Sequence, residues 1–192
     1  MTKINFYPAL AVFLLILAVS CEYNNEALEV DAADPQLHLS NGMLYYKGMV
    51  FTGVLSSTYD NGNKRSAVHY TQGRKNGDET RWYPDGNIEA SRVYSKGNKV
   101  GTHQGWWPNG QLKFIYEFNR HGEYNGSVTE WYFSGQKFMD FHYLDGKEEG
   151  SQKLWQEDGR IKANYVVKNG ERFGLIGLKK CDPVQIQNND VN

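Results

Sequence analysis

The sequence predicts an all-β fold, a single-layer antiparallel β-meander built from about five 24-residue hairpin repeats. Three observations carry that expectation. Glycine recurs on a fixed lattice, turn-forming pairs end at one glycine in each unit, and the residues after each turn alternate with period two. The lattice starts with Gly53, Gly77, Gly101, Gly126, Gly150 and Gly174, spaced 24, 24, 25, 24 and 24 residues apart. Nine residues into each unit stands Gly62, Gly86, Gly110, Gly135 or Gly159. A third series, Gly73, Gly97, Gly122, Gly146 and Gly170, closes each unit, and the third unit reaches it one residue late. Sixteen of the chain's 20 glycines fall in register, so they are expected as turn positions rather than as low complexity.

Bulk properties narrow the class. A length of 192 residues allows one ordinary domain. The net charge of −1 argues against a nucleic-acid binder, which carries a basic excess for the phosphate backbone. A mean hydropathy of −0.66 excludes a polytopic membrane protein.

Residues 1–20 read as a signal peptide. Lys3 precedes the apolar run Ala9–Val19, whose 11 residues are too few to span a bilayer and suit a signal-peptide core. The run ends in Ala18-Val19-Ser20-Cys21, which resembles the lipobox of bacterial lipoproteins, with Ala18 where Leu is favoured. That resemblance implies acylation of Cys21 and a membrane anchor at the periplasmic face or the cell surface. Residues 21–36 carry five acids and no base, and are expected to form a tether without a core. The repeat domain is expected over 37–181, with a tail at 182–192. Gly42–Gly53 and Gly174–Cys181 read as caps on the two sheet edges. Cys181 is the only other cysteine, so the mature chain has no disulfide framework.

Within a unit, Asn61, Asp85, Asn109, Ser134 and Asp158 precede the second glycine. Such pairs tolerate positive φ and favour hairpin turns. Tyr83-Pro84-Asp85-Gly86 and Trp107-Pro108-Asn109-Gly110 place proline second in a type I turn and glycine in the left-handed position. A three-residue loop follows, and it pairs Trp82 with Ile88, Trp106 with Leu112 and Trp155 with Ile161. Continued alternation then predicts one core face for Trp82, Ile88, Ala90 and Tyr94, for Trp106, Leu112, Phe114 and Tyr116, and for the matching residues around Trp131 and Trp155. On the opposite face, Tyr59, Tyr83, Trp107 and Tyr132 form an aromatic row flanked by Arg81, Glu89, Lys113 and Glu130. This row is the candidate binding face, and a cross-strand ladder that stiffens the sheet is the alternative.

The segments GDETRWYPDGNIEASRVYSKG and GSVTEWYFSGQKFMDFHYLDG are similar to the MORN-variant repeat. The opening LYYKGMVFTGVLSSTYDNGNKRSAVHYTQGRKNG resembles the start of YwqK-like antitoxins of bacterial toxin–antitoxin systems. The first resemblance implies a hairpin-repeat sheet, and the second implies direct binding of a toxin protein.

No catalytic or metal site is expected. His69 and His142 share position 16 of their units but stand three units apart, too far for one metal ion. HExxH, paired CxxC and GxSxG are missing, and no helix follows the glycines to make a phosphate loop. The sequence therefore points to a non-catalytic scaffold or interaction module without cofactor. Its partners are a membrane, through Cys21, and a protein.

Overall fold

The computed structural model describes residues 27–177. The signal peptide, Cys21, the start of the tether, Cys181 and the tail lie outside the described residues. Among the described residues there is no helix. A 12-stranded sheet runs in chain order except at its start. Its strands are β1 (Glu29–Asp31), β5 (Gly53–Thr58), β6 (Lys64–Thr71), β7 (Arg74–Trp82), β8 (Ile88–Ser95), β9 (Asn98–Trp106), β10 (Leu112–Phe118), β11 (Tyr124–Trp131), β12 (Lys137–Leu144), β13 (Lys147–Trp155), β14 (Ile161–Lys168) and β15 (Glu171–Leu175). A smaller sheet joins β2 (Leu37–Ser40), β3 (Met43–Tyr46) and β4 (Met49–Val50). The large sheet is an open antiparallel meander with β1 added in parallel to β5.

The turn inside each unit has the expected form. The amide of Gly86 donates to the Tyr83 carbonyl at 2.9 Å, and that of Tyr83 donates to the Asn87 carbonyl at 2.8 Å. Gly86 takes φ +88°, a left-handed conformation that disfavours a Cβ. The loop is three residues long, and the Trp82–Ile88, Trp106–Leu112 and Trp155–Ile161 pairs all form. Between units, Gln72-Gly73, Lys96-Gly97, Asp145-Gly146 and Asn169-Gly170 have positive φ at both residues. These are two-residue primed turns, whose twist matches that of the strands. The third unit instead uses the three-residue loop Arg120-His121-Gly122, with Gly122 donating to the Asn119 carbonyl at 3.1 Å. That accounts for its extra residue.

Two expectations are corrected by bulges. The first concerns the leading glycine series, which does not make turns. Gly77, Gly101, Gly126 and Gly150 lie inside strands at positive φ. Val68 pairs with Glu79 but Tyr70 pairs with Lys75, so β7 holds extra residues around Gly77. Such a bulge needs a residue free of steric limits. The second concerns the faces. Trp82 pairs with Ile88, but Arg81 pairs with Ala90, leaving Glu89 as one extra residue on β8. The same slip follows Trp106, Trp131 and Trp155. One extra residue moves everything after it to the other face. Ala90, Tyr94, Phe114, Tyr116 and Tyr165 therefore lie on the front face with Tyr83, not with Trp82. The tryptophan row lies on the back beside Ile88 and Ile161, which are 46% and 45% exposed.

The front face holds most of the core. Ala90, Val128, Gln152, Tyr165 and Val167 are all buried there. Rings of Tyr94, His103, Phe118, Tyr124 and Tyr143 pass contact from strand to strand, with centroids 4.7–5.5 Å apart. Position 2 of the unit is buried throughout its centre, at Glu79, His103, Val128 and Gln152. The Gln152 amide pairs with both backbone groups of His142, and His103 Nε2 donates to the Val93 carbonyl at 2.8 Å. These side chains satisfy backbone groups that the in-strand bulges release.

The N-terminal edge is closed by part of the expected tether. β1 pairs with β5, and Val30 packs with Leu44 and Phe51 in a separate cluster. Alternation buries Val30 alone and leaves Glu29 and Asp31 in water, so an acidic stretch still contributes a strand. Tyr46 donates to the Asp34 carboxylate at 3.2 Å. The folded unit thus begins before Leu37.

Candidate functional site

The four residues expected as a binding row come together on the front face at the turn end of the sheet. The structure also uses their polar tips. Tyr59 donates its hydroxyl to the Trp82 carbonyl at 2.9 Å, Tyr83 to Trp106 at 2.8 Å and Tyr132 to Trp155 at 3.1 Å. The Trp107 indole N–H donates to the Trp131 carbonyl at 3.2 Å. Each acceptor lies one unit downstream.

The ladders explain this spacing. β6 and β7 pair only as far as Ser66 and Arg81, so the Trp82 carbonyl lies beyond the last rung. β8–β9 stops at Ala90–Gly105, β10–β11 at Phe114–Glu130 and β12–β13 at Met139–Leu154. Every such carbonyl needs a donor. Tyrosine and tryptophan supply an apolar body and a donor tip, which is why position 6 holds them. The fifth unit has Gln156 there, and no further tryptophan carbonyl follows it. The row is therefore a brace between units, with the ring faces left over for other contacts.

Cations sit over two of those faces. Arg65 lies 5.6 Å from the Tyr59 ring centroid, and Lys113 lies 4.3 Å from that of Trp107. Both come from position 12, the extra residue of the bulge. In the fourth unit this position is Phe138, whose ring meets Tyr132 edge-on at 5.2 Å. Phe133, 55% exposed, meets Trp107 edge-on at 5.9 Å.

These substitutions open a pocket of about 410 Å³ between Trp107 and Tyr132. Phe133 and Phe138 wall it, and Phe114, stacked on Tyr116 at 4.6 Å, floors it. Phe114 can lie flat because Gly105 is its cross-strand partner; a Cβ there would stand 2.2 Å from the ring. Glu130 enters the floor and accepts the Tyr116 hydroxyl at 2.5 Å. Burial, and then the Glu130 bond and charge, push the Tyr116 hydroxyl well above the usual tyrosine range. Lys113 and Glu157 complete the charged lining. The volume falls within the range of small-molecule pockets, and the walls are mostly apolar with few polar groups.

Sequence reasoning placed Tyr59, Tyr83, Trp107 and Tyr132 but missed Phe114, Phe133 and Phe138. Their signal is departure from the repeat: position 12 is charged in the other four units, and position 7 is aromatic only at Phe133. The two histidines at position 16 have a local role. His69 Nδ1 bonds the Asp78 carbonyl at 3.0 Å, and His142 Nδ1 bonds that of Ser151 at 3.1 Å, each beside a bulge glycine. Among the described residues, no group of His, Cys, Asp and Glu is arranged to hold a metal ion.

Comparison with curated proteins gives no significant match. Among solved structures, alternansucrase in complex with isomaltononaose overlaps 73% of this chain at 14% identity and a TM-score of 0.14. This chain spans 16% of the length of that one, and so loose an overlap carries no argument. Residues 75–96 and 99–120 match the MORN repeat variant, each running from the start of one hairpin to the turn that follows it. β7–β10, in the middle of the large sheet, are thus similar to MORN-variant units.

Proposed function

We propose that the protein is a bacterial cell-envelope lipoprotein, anchored through acylated Cys21, whose repeat sheet is a non-catalytic interaction module. One observation carries the interaction: the aromatic side chains of the central units converge on one face, around an open pocket whose walls interrupt the repeat. Bracing needs Tyr83, Trp107 and Tyr132, but it does not need Phe133 or an aromatic Phe138. Large aromatic groups with mixed charge at a partly open site are typical of contact surfaces. The apolar run before Cys21 and its lipobox-like ending support the anchor, and stable anchoring takes more than one acyl chain.

Affinity capture from native envelope tests the surface. The F133A/F138A double variant is expected to lose its partner while its thermal midpoint shifts by only a few degrees. Unchanged capture overturns the reading. A toxin as the captured protein selects the antitoxin-like form of it. For the anchor, Cys21→Ser is expected to move the protein out of the detergent phase, and equal partitioning of both forms rejects lipidation.

A further inference from the structure

The Trp107–Tyr132 pocket has a charge pattern that its aromatic walls alone do not explain. Buried and half-buried carboxylates elsewhere on the front face have cationic partners. Glu79 pairs with Lys75 and Arg92, Glu89 with Arg81, and Glu148 with Arg172. Glu130 forms no ion pair among the described residues. Its one charge-relieving contact is the Tyr116 hydroxyl on Oε1, which leaves Oε2 without a hydrogen bond.

The repeat shows what is missing. In the first and third units a position 12 cation covers the position 6 ring, at Arg65–Tyr59 and Lys113–Trp107. The second unit has Glu89 there, paired with Arg81, and the fourth has Phe138, so among the described residues no cation covers the Tyr132 ring. The pocket therefore combines a ring that has no cation over it with a carboxylate that has no ion pair among the described residues. Glu130 and Glu157 against Lys113 leave its lining one negative charge in excess. A partly desolvated carboxylate gains most from a cation that also donates hydrogen bonds, and aromatic faces attract the same group. An anion would meet Glu130 and Glu157. A neutral apolar guest would cover Glu130 and leave it unpaired, which costs free energy.

Building on the reading of this face as a partner-binding surface, we infer that the pocket takes the cationic end of a lysine or arginine side chain presented by a protein partner. The guest's ammonium or guanidinium donates to Glu130, and its alkyl stem lies between Phe133 and Phe138.

The test uses the full chain and small probes, n-butylammonium, n-butylguanidinium and the neutral n-pentanol, with the aromatic NMR signals of Phe133 and Phe138 as readout. Both cations are expected to shift those signals saturably, with pentanol about tenfold weaker or more. The stronger of the two cations names the side chain. E130Q is expected to weaken the cations about tenfold, the scale of a charge-assisted hydrogen bond with its charge removed. Pentanol binding as tightly as the cations overturns the proposal, and this comparison uses the native protein, independently of whether E130Q folds. Unchanged cation binding in a folded E130Q overturns it too. If F133A/F138A loses its partner but the native chain binds neither cation, the cation proposal falls and the surface reading stands. Cation binding with capture indifferent to those substitutions rejects the surface reading instead.

Discussion

Tyr83 donates its hydroxyl to the carbonyl of Trp106, 23 residues downstream, at 2.8 Å. The carbonyl lies past the last rung between β8 and β9, so this one side chain completes a backbone ladder in the next unit. Tyr83→Phe keeps the ring and removes the donor. Its expected cost is about 1 kcal/mol, the net worth of one such bond. Urea unfolding should show this loss with an unchanged slope. Partner capture should survive in Y83F, since the ring face is intact.

Gly105 and Phe114 should be strongly coupled. A methyl group on Gly105 collides with a ring that is already stacked on Tyr116. Gly105→Ala is expected to destabilise by roughly 1–3 kcal/mol through overpacking. Adding Phe114→Ala should recover much of that, because alanine occupies the same position at Ala90 in the second unit and Ala163 in the fifth. A double-mutant cycle measures the coupling, and additive effects would contradict the geometry.

Acid should weaken the front face in two stages. Burial pulls the His103 imidazole below its ordinary 6.5, the Val93 carbonyl partly opposes this, and Arg92 and Lys99 add to the fall. A depressed value means that the unfolded chain takes up the proton first, so this stability is full above pH 6.5 and is lost as pH falls through the folded value. Glu79 follows lower down. Burial would raise its carboxyl, but the bonds and charges of Lys75 and Arg92 outweigh burial and hold it below the ordinary 4.5. Its contribution is full above 4.5 and disappears as pH falls through the lower folded value. His103→Gln, which installs the residue found at Gln152, should abolish the upper stage alone. Thermal melts across pH 3–8 check both.

The third unit's longer turn should be replaceable. Substituting Asn-Gly for Arg120-His121-Gly122 converts it to the two-residue turn of the other units and keeps Phe118 opposite Tyr124. The expected change in stability is below about 1 kcal/mol. Retained amide protection in β10 and β11 would confirm an unchanged register, and loss of it would show that the extra residue is structural.

Turns and hairpin pairings were legible because Asn-Gly, Asp-Gly and the prolines state their backbone angles directly. Trp82 and Ile88 meet as expected for that reason. The faces beyond them were misread because the extra residue after each turn carries no marker. Arg65, Glu89, Lys113 and Lys162 are charged and Phe138 is not, and a charge of either sign does not announce a bulge. Without the bulge, alternation assigns Ala90 to the side of Trp82; with it, Ala90 joins Tyr83. The same blindness hid the pocket, whose residues belong to three units and meet only after the slip. The acidic stretch was read as tether because composition averages out Val30, a single buried residue that holds a strand to the edge of β5.

In the large sheet each antiparallel strand of the meander touches its sequence neighbours, and the two ends differ. β1 and the small sheet close the first edge, while all five residues of β15 are exposed. Stability in such an array is a sum of unit and nearest-neighbour terms along one dimension. Opening is therefore directional. Hydrogen exchange should begin at β15 and advance inward unit by unit, and the last amides to exchange should lie toward the closed end.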